Sequence, residues 1–514
     1  MNADPKRVAA LTVMVVGTGV IAVATPFETL SATGNYALAT AWFAASLWVT
    51  EALPLPVTAL CVPVVLTVLG VYPSMTPALA AFADPVVFLL LAGFVLAAAL
   101  ERHDVDRRIA YLLLARVGTS PSRAVLALML ATAGLSMLIS NTATTAMMIP
   151  VALGVSRTVL ADSGLETPKD SETAAPPNLE TAALLGTAYA ASIGGVGTLI
   201  GSPPNAIVVS QLSATLGYDI GFAEWLVVGV PVVVVSLPIA WYVLTVRLYP
   251  PEVSATALSS AYADDALADL GPMTTAGRRT VAIAATTAAL WLIGGLDFLF
   301  RPWIPSTWAT TLFGGSGQSV FGVGHQGVLY FVIVGMAAIP ALILAGGVDW
   351  DDVERIDWGT LLLLGGGLSL AAALGETGAV TWLADVILGP LVGVPIVVVV
   401  FVIVVGTIFA GELASNTAMA AVLVPLLIGI GPEFAGALGT GGDTAVLLAI
   451  TGGVAASFGF ALPVATPPNA IAFGTGEVRR EEMLRAGVVL DVVLAVVVSG
   501  LLLGLFVLVG PVGG

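Results

Sequence analysis

Long apolar stretches separated by short polar ones fill the chain from residue 8 to residue 508. A helix needs about 20 mainly apolar residues to cross a bilayer, and the chain holds roughly eleven to thirteen apolar segments, some too short for a straight crossing. No room is left for a large soluble domain. The pattern predicts an all-α polytopic protein, embedded in the lipid bilayer as a multi-pass protein of the cell membrane.

Polar motifs interrupt two of the apolar regions in the first half. A Ser-Asn-Thr motif at 140–142 lies between the apolar arms 122–139 and 143–160, and neither arm is comfortably long enough to cross a bilayer. This arrangement predicts a re-entrant hairpin with a polar tip near mid-membrane. A Pro-Pro-Asn motif at 203–205 separates two further apolar stretches, which predicts a broken helix lining a cavity.

The same motifs recur in the second half, beyond a polar segment at 250–277. SNTATTAMMIP at 140–150 matches SNTAMAAVLVP at 415–425 in six of eleven positions, AASIG at 190–194 matches AASFG at 455–459, and PPNAI at 203–207 recurs at 467–471. Small residues and prolines are common in membrane helices, but a shared order of three motifs indicates an internal repeat. Interruptions at corresponding positions of two repeats indicate a transporter binding site between them.

Composition narrows the class of protein further. Hydrophobic residues make up 58% of the chain and charged residues 10%, whereas about a quarter of a soluble protein is charged. A net charge of -16 argues against nucleic acid, whose recognition needs basic patches. The spans show no His-Glu-x-x-His motif or paired catalytic aspartates, and no filter repeat typical of a channel. We therefore expect a transporter and no enzyme.

The repeated Ser-Asn-Thr residues suit an anionic substrate. A helix that begins at Ser140 or Ser415 presents unpaired N–H groups and the positive end of its dipole to a ligand. The neighbouring side chains add neutral hydrogen-bond donors. The candidate substrate residues, which can surround two carboxylates or one compact oxyanion, are Ser140, Asn141, Thr142, Ser415, Asn416 and Thr417.

Sodium is the expected co-transported ion, since hard cations take oxygen ligands. Oxygen is offered by the amides of Asn141 and Asn416, the hydroxyls of Ser136 and Ser140, and unwound carbonyls near Gly195 and Gly459. A cation held beside the anion lowers the cost of burying each of them. This proximity is a physical basis for coupling.

Glu412, three residues before Ser415, is an acid embedded beside a motif. An ionisable group within the membrane indicates function, but a hydrogen bond that fixes the hairpin tip explains it equally well. Glu51, at a predicted helix break, is expected to have a structural or interfacial role. The expected interfacial anchors are Trp225, Trp303, Trp308, Trp350 and Trp358.

Together the motifs resemble those of the divalent anion/sodium symporter family, whose members carry succinate, malate, citrate and sulfate. The resemblance covers nearly the whole chain and rests on TEALPLPVTAL at 50–60, SMLISNTATTA at 136–146, AASIGG and GSPPN within 190–205, and LPVATPPNAI at 462–471. It implies an inverted-repeat transporter with two re-entrant hairpins and two broken helices. It also implies a homodimer in which a transport domain moves like an elevator against a scaffold.

The resemblance assigns residues to two sodium sites. One comprises Ser136, Ser140, Asn141 and a carbonyl of Gly194 or Gly195, and the other comprises Ala414, Asn416 and a carbonyl near Gly459. Relatives often carry threonine where this chain has Gly411, so the second site lacks a side-chain hydroxyl. The implied domains are N-terminal scaffold helices (1–121), a first transport-domain half (122–249), a polar acidic linker (250–277), second scaffold helices (278–394) and a second transport-domain half (395–514).

We therefore expect a secondary active transporter that couples C4-dicarboxylates (succinate, malate and fumarate) to sodium by alternating access. The alternatives are sodium-coupled sulfate transport, dicarboxylate exchange, and a sodium/proton or arsenite-type transporter, which would not need both Ser-Asn-Thr tips. Basic residues near the first spans favour a cytoplasmic N-terminus. The acidic insert at 162–180 is expected to be a solvated loop.

Overall fold

The computed structural model describes residues 5–117, 120–163, 177–253, 258–435 and 444–509. Its regular structure is helical apart from one short hairpin of strands in the described ranges. The first half contains α1 (Pro5–Ala24), α2 (Ala32–Thr50), α3 (Leu55–Val68), α4 (Met75–Ala80), α5 (Pro85–Arg102), α6 (Val105–Val117), α7 (Pro121–Ser136), α8 (Asn141–Asp162), α9 (Asn178–Gly195), α10 (Pro203–Leu216) and α11 (Phe222–Tyr242), which continues as a π-helical turn (Val243–Leu248).

The polar middle segment holds a helix, α12 (Leu258–Asp269), which packs against α6 and α8. The second half contains α13 (Thr275–Gly295), α14 (Asp297–Phe300), α15 (Ser306–Phe313), β1 (Gly315–Ser319), β2 (Gly322–His325), α16 (Phe331–Ala345), α17 (Trp350–Glu354), α18 (Trp358–Glu376), α19 (Ala379–Leu388), α20 (Ile396–Gly411), α21 (Asn416–Ile430), α22 (Thr444–Ala456), α23 (Pro467–Gly474) and α24 (Arg480–Val509). Short 3-10 turns are found at Ala81–Ala83, Arg301–Trp303, Gly389–Leu391 and Gly431–Phe434.

Several helices are suited to crossing a membrane. Within the described ranges six are long and apolar enough, and two bent pairs of helices raise the number to eight. The bends measure 73° between Thr275–Gly295 and Asp297–Trp303, and 114° between Ala379–Leu391 and Ile396–Gly411. Five apolar helices are shorter, including α7 and α22, which belong to the repeated motifs. The predicted class, an all-α polytopic protein with interrupted helices, is confirmed.

Both repeats fold in the same order, a helical hairpin followed by a broken helix. In the first repeat α7 and α8 form the hairpin and α9 and α10 the broken helix, and in the second these are α20, α21, α22 and α23. Ser140 caps α8 by accepting a hydrogen bond from the Ala143 N–H at 3.3 Å, as serine commonly does at this position. Two prolines open both α10 and α23, where the N–H that proline lacks would have had no partner within the helix.

The repeats interlock through their broken helices. Helix α9 packs against α7 and α8, and α22 packs against α20 and α21. The second helix of each broken pair packs against the other repeat. Helix α10 packs against α21 and α22, and α23 packs against α8 and α9. A side chain at Gly453 would overlap Val208, so α22 and α10 are in close contact there. The interrupted helices of both repeats therefore form one packed body.

An ion-pair cluster also joins the two repeats. Arg157 of α8 contacts Glu180 of α9 at 3.2 Å and Glu477, which follows α23, at 2.7 Å. Glu180 is fully buried, so the prediction of a solvated loop over 162–180 is wrong at its C-terminal end. The insert's residues 164–176 lie outside the described ranges.

The prediction for Trp225 is also wrong. Its side chain is fully buried, and its indole N–H donates a hydrogen bond to the Val196 carbonyl at 2.9 Å. It therefore holds the loop that interrupts the first broken helix. The other four predicted anchors are exposed, as interfacial anchors must be, namely Trp303, Trp308, Trp350 and Trp358.

Candidate functional site

A cavity of about 800 Å³ lies where both hairpin tips meet both helix breaks. All six predicted substrate residues line it, together with Ala414. The facing wall comes from the α2–α3 connection and the start of α18, and includes Thr50, Glu51 and Thr360. The fold therefore brings the two distant Ser-Asn-Thr motifs to one cavity.

Two helix N-termini face this cavity, because α8 begins at Asn141 and α21 begins at Asn416. Each presents unpaired N–H groups and roughly half a positive charge. The Ser140 hydroxyl caps its own helix, whereas the Ser415 side chain makes no capping bond. No arginine, lysine or histidine is among the described residues of the lining. Within the described lining, the groups suited to an anion are helix dipoles and neutral donors, whereas Glu51 and Asp357 add negative charge.

Oxygen atoms surround the side chain of Asn141 in the first repeat. The Ser136 hydroxyl lies 2.5 Å from Asn141 Oδ1 and 2.7 Å from the Ala191 carbonyl oxygen. With its amide turned over, the Asn141 nitrogen would donate to Ala191 O at 3.1 Å and to Gly201 O at 3.3 Å. A cation among these oxygens would favour the first orientation, with Oδ1 facing it. The pocket has the ligand chemistry that sodium requires.

The glycines at the end of α9 give this pocket its shape. A Cβ atom on Gly195 would overlap the Asn141 amide, with its nitrogen at only 2.9 Å. A Cβ on Gly194 would overlap the backbone of Ala133 in α7. Gly195 thus makes room for the asparagine, whereas Gly194 allows two helices to pack closely. The Gly194 carbonyl already accepts a hydrogen bond from the Gly197 N–H at 2.8 Å.

Asn416 is the counterpart of Asn141 in the second repeat. The Asn416 Oδ1 atom is buried and has no hydrogen-bond partner within the described part of the chain. Gly459 adopts φ +153°, a backbone conformation open mainly to glycine. Asn416 and Ala414 also line the main cavity. An ion here would therefore lie close to the substrate residues of the second hairpin.

Glu412 fixes the second hairpin tip. Its carboxylate accepts hydrogen bonds from the backbone N–H groups of Ala461 at 2.8 Å and Leu462 at 2.7 Å. Both residues belong to the loop that interrupts the second broken helix. The sequence left two explanations for Glu412 open, a functional ionisable group and a hydrogen bond that fixes the hairpin tip. The structure shows the hydrogen bonds.

The asparagine of each Pro-Pro-Asn motif closes its helix break in the same way. Asn205 donates from its amide to Gly195 O at 2.9 Å and to Thr198 O at 2.7 Å. Asn469 donates to Gly459 O at 3.0 Å and to Leu462 O at 3.0 Å. Both asparagines are fully buried. They orient the Gly195 and Gly459 carbonyls that the sequence proposed as sodium ligands.

A second cavity, of about 620 Å³, adjoins the first. Phe94, Ser140, Thr142 and Asp357 line both cavities, so the substrate residues connect with a wider vestibule. Charged residues line its outer part, namely Glu101, Arg102, Asp352 and Arg355. Arg102 also bonds to the exposed Asp349 at 2.7 Å, which lowers the pKa of that carboxyl below its ordinary value. The vestibule gives the site a polar route to one face of the protein.

Sequence reasoning missed several residues of the site. Asn205 and Asn469 belong to the repeated Pro-Pro-Asn motif, and this recurrence is the signal that could have identified them. Glu51 was expected to be structural or interfacial, and it lies in the cavity wall. Asp357 was not singled out; it accepts a hydrogen bond from the Thr360 N–H at 3.0 Å at the start of α18. The wall residues lie far from the motifs in sequence, so no local pattern shows that they face them.

Broken helices that meet at a cavity shared by two repeats are how secondary transporters hold a substrate and its coupling ion. The fold and the site therefore define a multi-pass membrane transporter and not an enzyme. The chain belongs to the family described as the sodium:sulfate symporter transmembrane region, which matches residues 5–508. Its membership makes it a sodium-coupled anion transporter of the cell membrane.

Individual relatives agree with this assignment. The chain is 36% identical over 475 residues to an uncharacterized transporter of Haemophilus influenzae, with 92% of each chain covered. It is 31% identical over 490 residues to the sodium-dependent dicarboxylate transporter SdcS of Staphylococcus saprophyticus, with 95% of this chain and 88% of SdcS covered.

Two solved structures share the fold at low sequence identity. The YdaH transporter of Alcanivorax borkumensis gives a TM-score of 0.53 at 17% identity, with 85% of this chain and 89% of YdaH covered. MtrF of Neisseria gonorrhoeae gives a TM-score of 0.51 at 12% identity, with 83% of this chain and 82% of MtrF covered. These similarities support the fold alone.

Proposed function

We propose that the protein carries C4-dicarboxylates, such as succinate, malate and fumarate, across the cell membrane together with sodium by alternating access. The observation that carries this proposal is that both Ser-Asn-Thr tips face one cavity. Two helix N-termini with separate sets of donors suit a substrate with two separate carboxylates. The relative SdcS, named a sodium-dependent dicarboxylate transporter, supports the same substrate class.

The substrate residues in this proposal are those of the two tips, Ser140, Asn141, Thr142, Ser415, Asn416 and Thr417. One sodium ion is held by Ser136, Ser140, Asn141 and a carbonyl of Gly194 or Gly195, and the other by Ala414, Asn416 and the Gly459 carbonyl. Gly195 suits the first role better than Gly194, because Asn205 orients its carbonyl. Each ion then lies beside the anion whose charge it offsets.

The moving part in this proposal is the packed body of interrupted helices, and the fixed part is the wall formed by α2, α3 and α18. The packing of α10 and α23 across the repeats favours movement of that body as a unit. An elevator movement of this body in a homodimer, with the two repeats inverted in the membrane, completes the proposal.

Sulfate is the second candidate substrate, favoured by the description of the family. The two candidates are separated by uptake of labelled succinate and labelled sulfate into proteoliposomes, with an inward gradient of sodium or of choline. We expect sodium-dependent succinate uptake that Asn141→Ala and Asn416→Ala each reduce to near background. Uptake of sulfate without uptake of succinate would make sulfate the substrate. Equal uptake in the sodium and choline gradients would refute sodium coupling.

Gly411→Thr should raise the apparent sodium affinity of uptake. A Cβ atom at this position would meet only the Phe458 carbonyl oxygen, at 3.6 Å. The backbone can therefore accept a larger residue, and its hydroxyl adds an oxygen near the second cation pocket. We expect the half-saturating sodium concentration to fall by about 3- to 10-fold, worth about 1 kcal/mol. Gly411→Ala, which adds the carbon without the hydroxyl, is the matched control and should leave the half-saturating sodium concentration unchanged. An equal effect of both variants would contradict the prediction.

A further inference from the structure

The two halves of helix α5 have different surroundings. The helix has 18 residues and is about 27 Å long. Residues between Phe94 and Arg102 line the vestibule, which connects the substrate residues with one face of the protein. Before Phe94, α5 lines neither cavity in its described part, and Gly93 lies so close to Ile200 that an added Cβ would come within 3.3 Å of it. The site is therefore open towards the Arg102 end of α5 and closed towards the Asp84 end.

The closed end of α5 is bonded to α10. Asp84 caps α5, and its Oδ1 atom accepts a hydrogen bond from the Val86 N–H at 2.8 Å. Its other oxygen, Oδ2, accepts a hydrogen bond from the Ser210 hydroxyl at 2.8 Å. Ser210 is only 1% exposed. A carboxylate is a stronger acceptor than a neutral oxygen, so Asp84 both begins α5 and holds α10 against it.

The two helices joined in this way belong to different parts of the protein. Helix α5 packs chiefly against α16 and also against α13, α17 and α18, so it belongs with the fixed wall. Helix α10 packs against α21 and α22 within the moving body, and it meets α5 and α18 across the boundary. The hydrogen bond therefore crosses the surface along which the body moves in the proposed function.

This hydrogen bond can break without leaving a buried polar group unpaired. Many hydroxyls in these helices donate to the carbonyl four residues earlier, as Thr132 and Thr187 do at 2.7 Å. The Ala206 carbonyl of its own helix offers Ser210 the same alternative, since a carbonyl oxygen has two lone pairs. Asp84 is half-buried, so water can solvate its freed oxygen. The bond is thus suited to form in one position of the body and to break in another.

We propose that the hydrogen bond between Ser210 and Asp84 is a latch, which stabilises the state in which the substrate site opens to the vestibule. This inference rests on the movement of the body in the proposed function and not on the identity of the substrate. Because the bond exists in the vestibule-open state alone, breaking it shifts the equilibrium towards the other end state of the carrier. The latch therefore sets how the protein divides its time between the two states.

Single-molecule energy transfer between one dye on the wall and one on the body measures this division of time. Cys61 is the single cysteine of the chain, so a Cys61→Ala background accepts two new thiols at exposed positions, Thr307→Cys in α15 and Thr215→Cys in α10. The protein is placed in lipid nanodiscs in choline without substrate, with one dye pair per oligomer. The distance between the two positions in the structure identifies the vestibule-open state. The measured quantity is the ratio of the dwell times in the two states.

The test variants are Ser210→Ala and Asp84→Ser. Serine is a favoured N-cap residue, so Asp84→Ser keeps the cap of α5, but its single oxygen leaves none for Ser210. The matched control is Ser213→Ala. Ser213 lies one turn further along α10, and its hydroxyl donates to the exposed Asp219 at 2.5 Å within the moving body.

We expect each test variant to lower the ratio of vestibule-open to other dwell times by about 3- to 10-fold, which is what one net hydrogen bond contributes. Ser213→Ala should keep the wild-type ratio. The variant with both changes should be no lower than either single variant, because both changes remove the same bond. A wild-type ratio in either test variant, or effects that add when the two are combined, would overturn the latch.

Heat denaturation in detergent tests whether the bond is only structural. A lower denaturation midpoint with an unchanged ratio of dwell times would mean that the bond stabilises the fold equally in both states, and this result would also overturn the latch. Uptake measurements separate the latch from the proposed substrate. A lowered ratio in a protein that takes up neither succinate nor sulfate would support the latch and count only against the substrate.

Discussion

Gly195→Ala is expected to reduce sodium-dependent uptake by about 100-fold or more, which would make it among the most damaging single-methyl changes in the chain. The added Cβ would overlap the Asn141 amide. Asn141 would have to leave the group of oxygens formed by Ser136, Ala191 and Gly201, because its neighbours on that side are closely packed. Losing an oxygen ligand that faces an ion costs about 2–3 kcal/mol. This free energy corresponds to the expected reduction in uptake.

The measurement is initial uptake of labelled succinate at several sodium concentrations, with the sodium-induced rise in the denaturation midpoint as a second readout. Gly134→Ala is the control, since Gly134 lies in α7 of the same hairpin and an added Cβ there meets nothing within 4 Å. We expect the control to keep wild-type uptake. If Gly195→Ala keeps its sodium dependence as well, the first cation pocket is placed wrongly.

Asn205→Leu and Asn469→Leu should each impair both transport and stability. Each leucine keeps the branched shape of asparagine, although it is larger, and removes two N–H donors from carbonyls within the helix breaks. A buried carbonyl left unpaired costs about 1–3 kcal/mol, so about 2–6 kcal/mol is at stake at each position. The Gly195 or Gly459 carbonyl would also lose its fixed direction, so sodium affinity should fall along with stability.

The readouts are the denaturation midpoint without sodium and the sodium concentration that gives half-maximal uptake. Because the two breaks are built alike, we expect effects of similar size from the two variants and roughly additive losses when they are combined. Ser213→Ala near the end of α10 is the control, as its hydroxyl bonds to the exposed Asp219 outside the cavity. Lower stability with unchanged sodium affinity would make the asparagines purely structural and would contradict the proposed role of the carbonyls.

Sequence alone predicted most of what is local and repeated. The hairpin tips at 140–142 and 415–417, the breaks at the Pro-Pro-Asn motifs and the all-α class follow from apolar lengths, proline and helix-capping chemistry. These features depend on residues close together in the chain, so they can be read from it directly. The repeat then placed the six tip residues in one predicted site, which the fold shows lining one cavity.

The errors concern single side chains whose surroundings are assembled from distant segments. Trp225 fits an interfacial anchor by composition, but the fold buries it against Val196. Glu180 closes an acidic insert, but the fold buries it, and the half-exposed Arg157 pairs with it. Neither partner could be identified from sequence spacing.

The sequence by itself determined that this protein lies in the membrane and that it is built from two repeats, and it predicted that neutral donors and helix N-termini hold the substrate. Only the tertiary structure decided which oxygens surround Asn141, that Asn205 and Asn469 orient the carbonyls of the helix breaks, and that Glu412 holds the loop at Ala461 and Leu462. The physical reason is the distance along the chain over which each interaction acts. Apolar length and capping act within a few turns of one helix, whereas ligand geometry and buried charge depend on atoms from helices that meet only after the chain has folded.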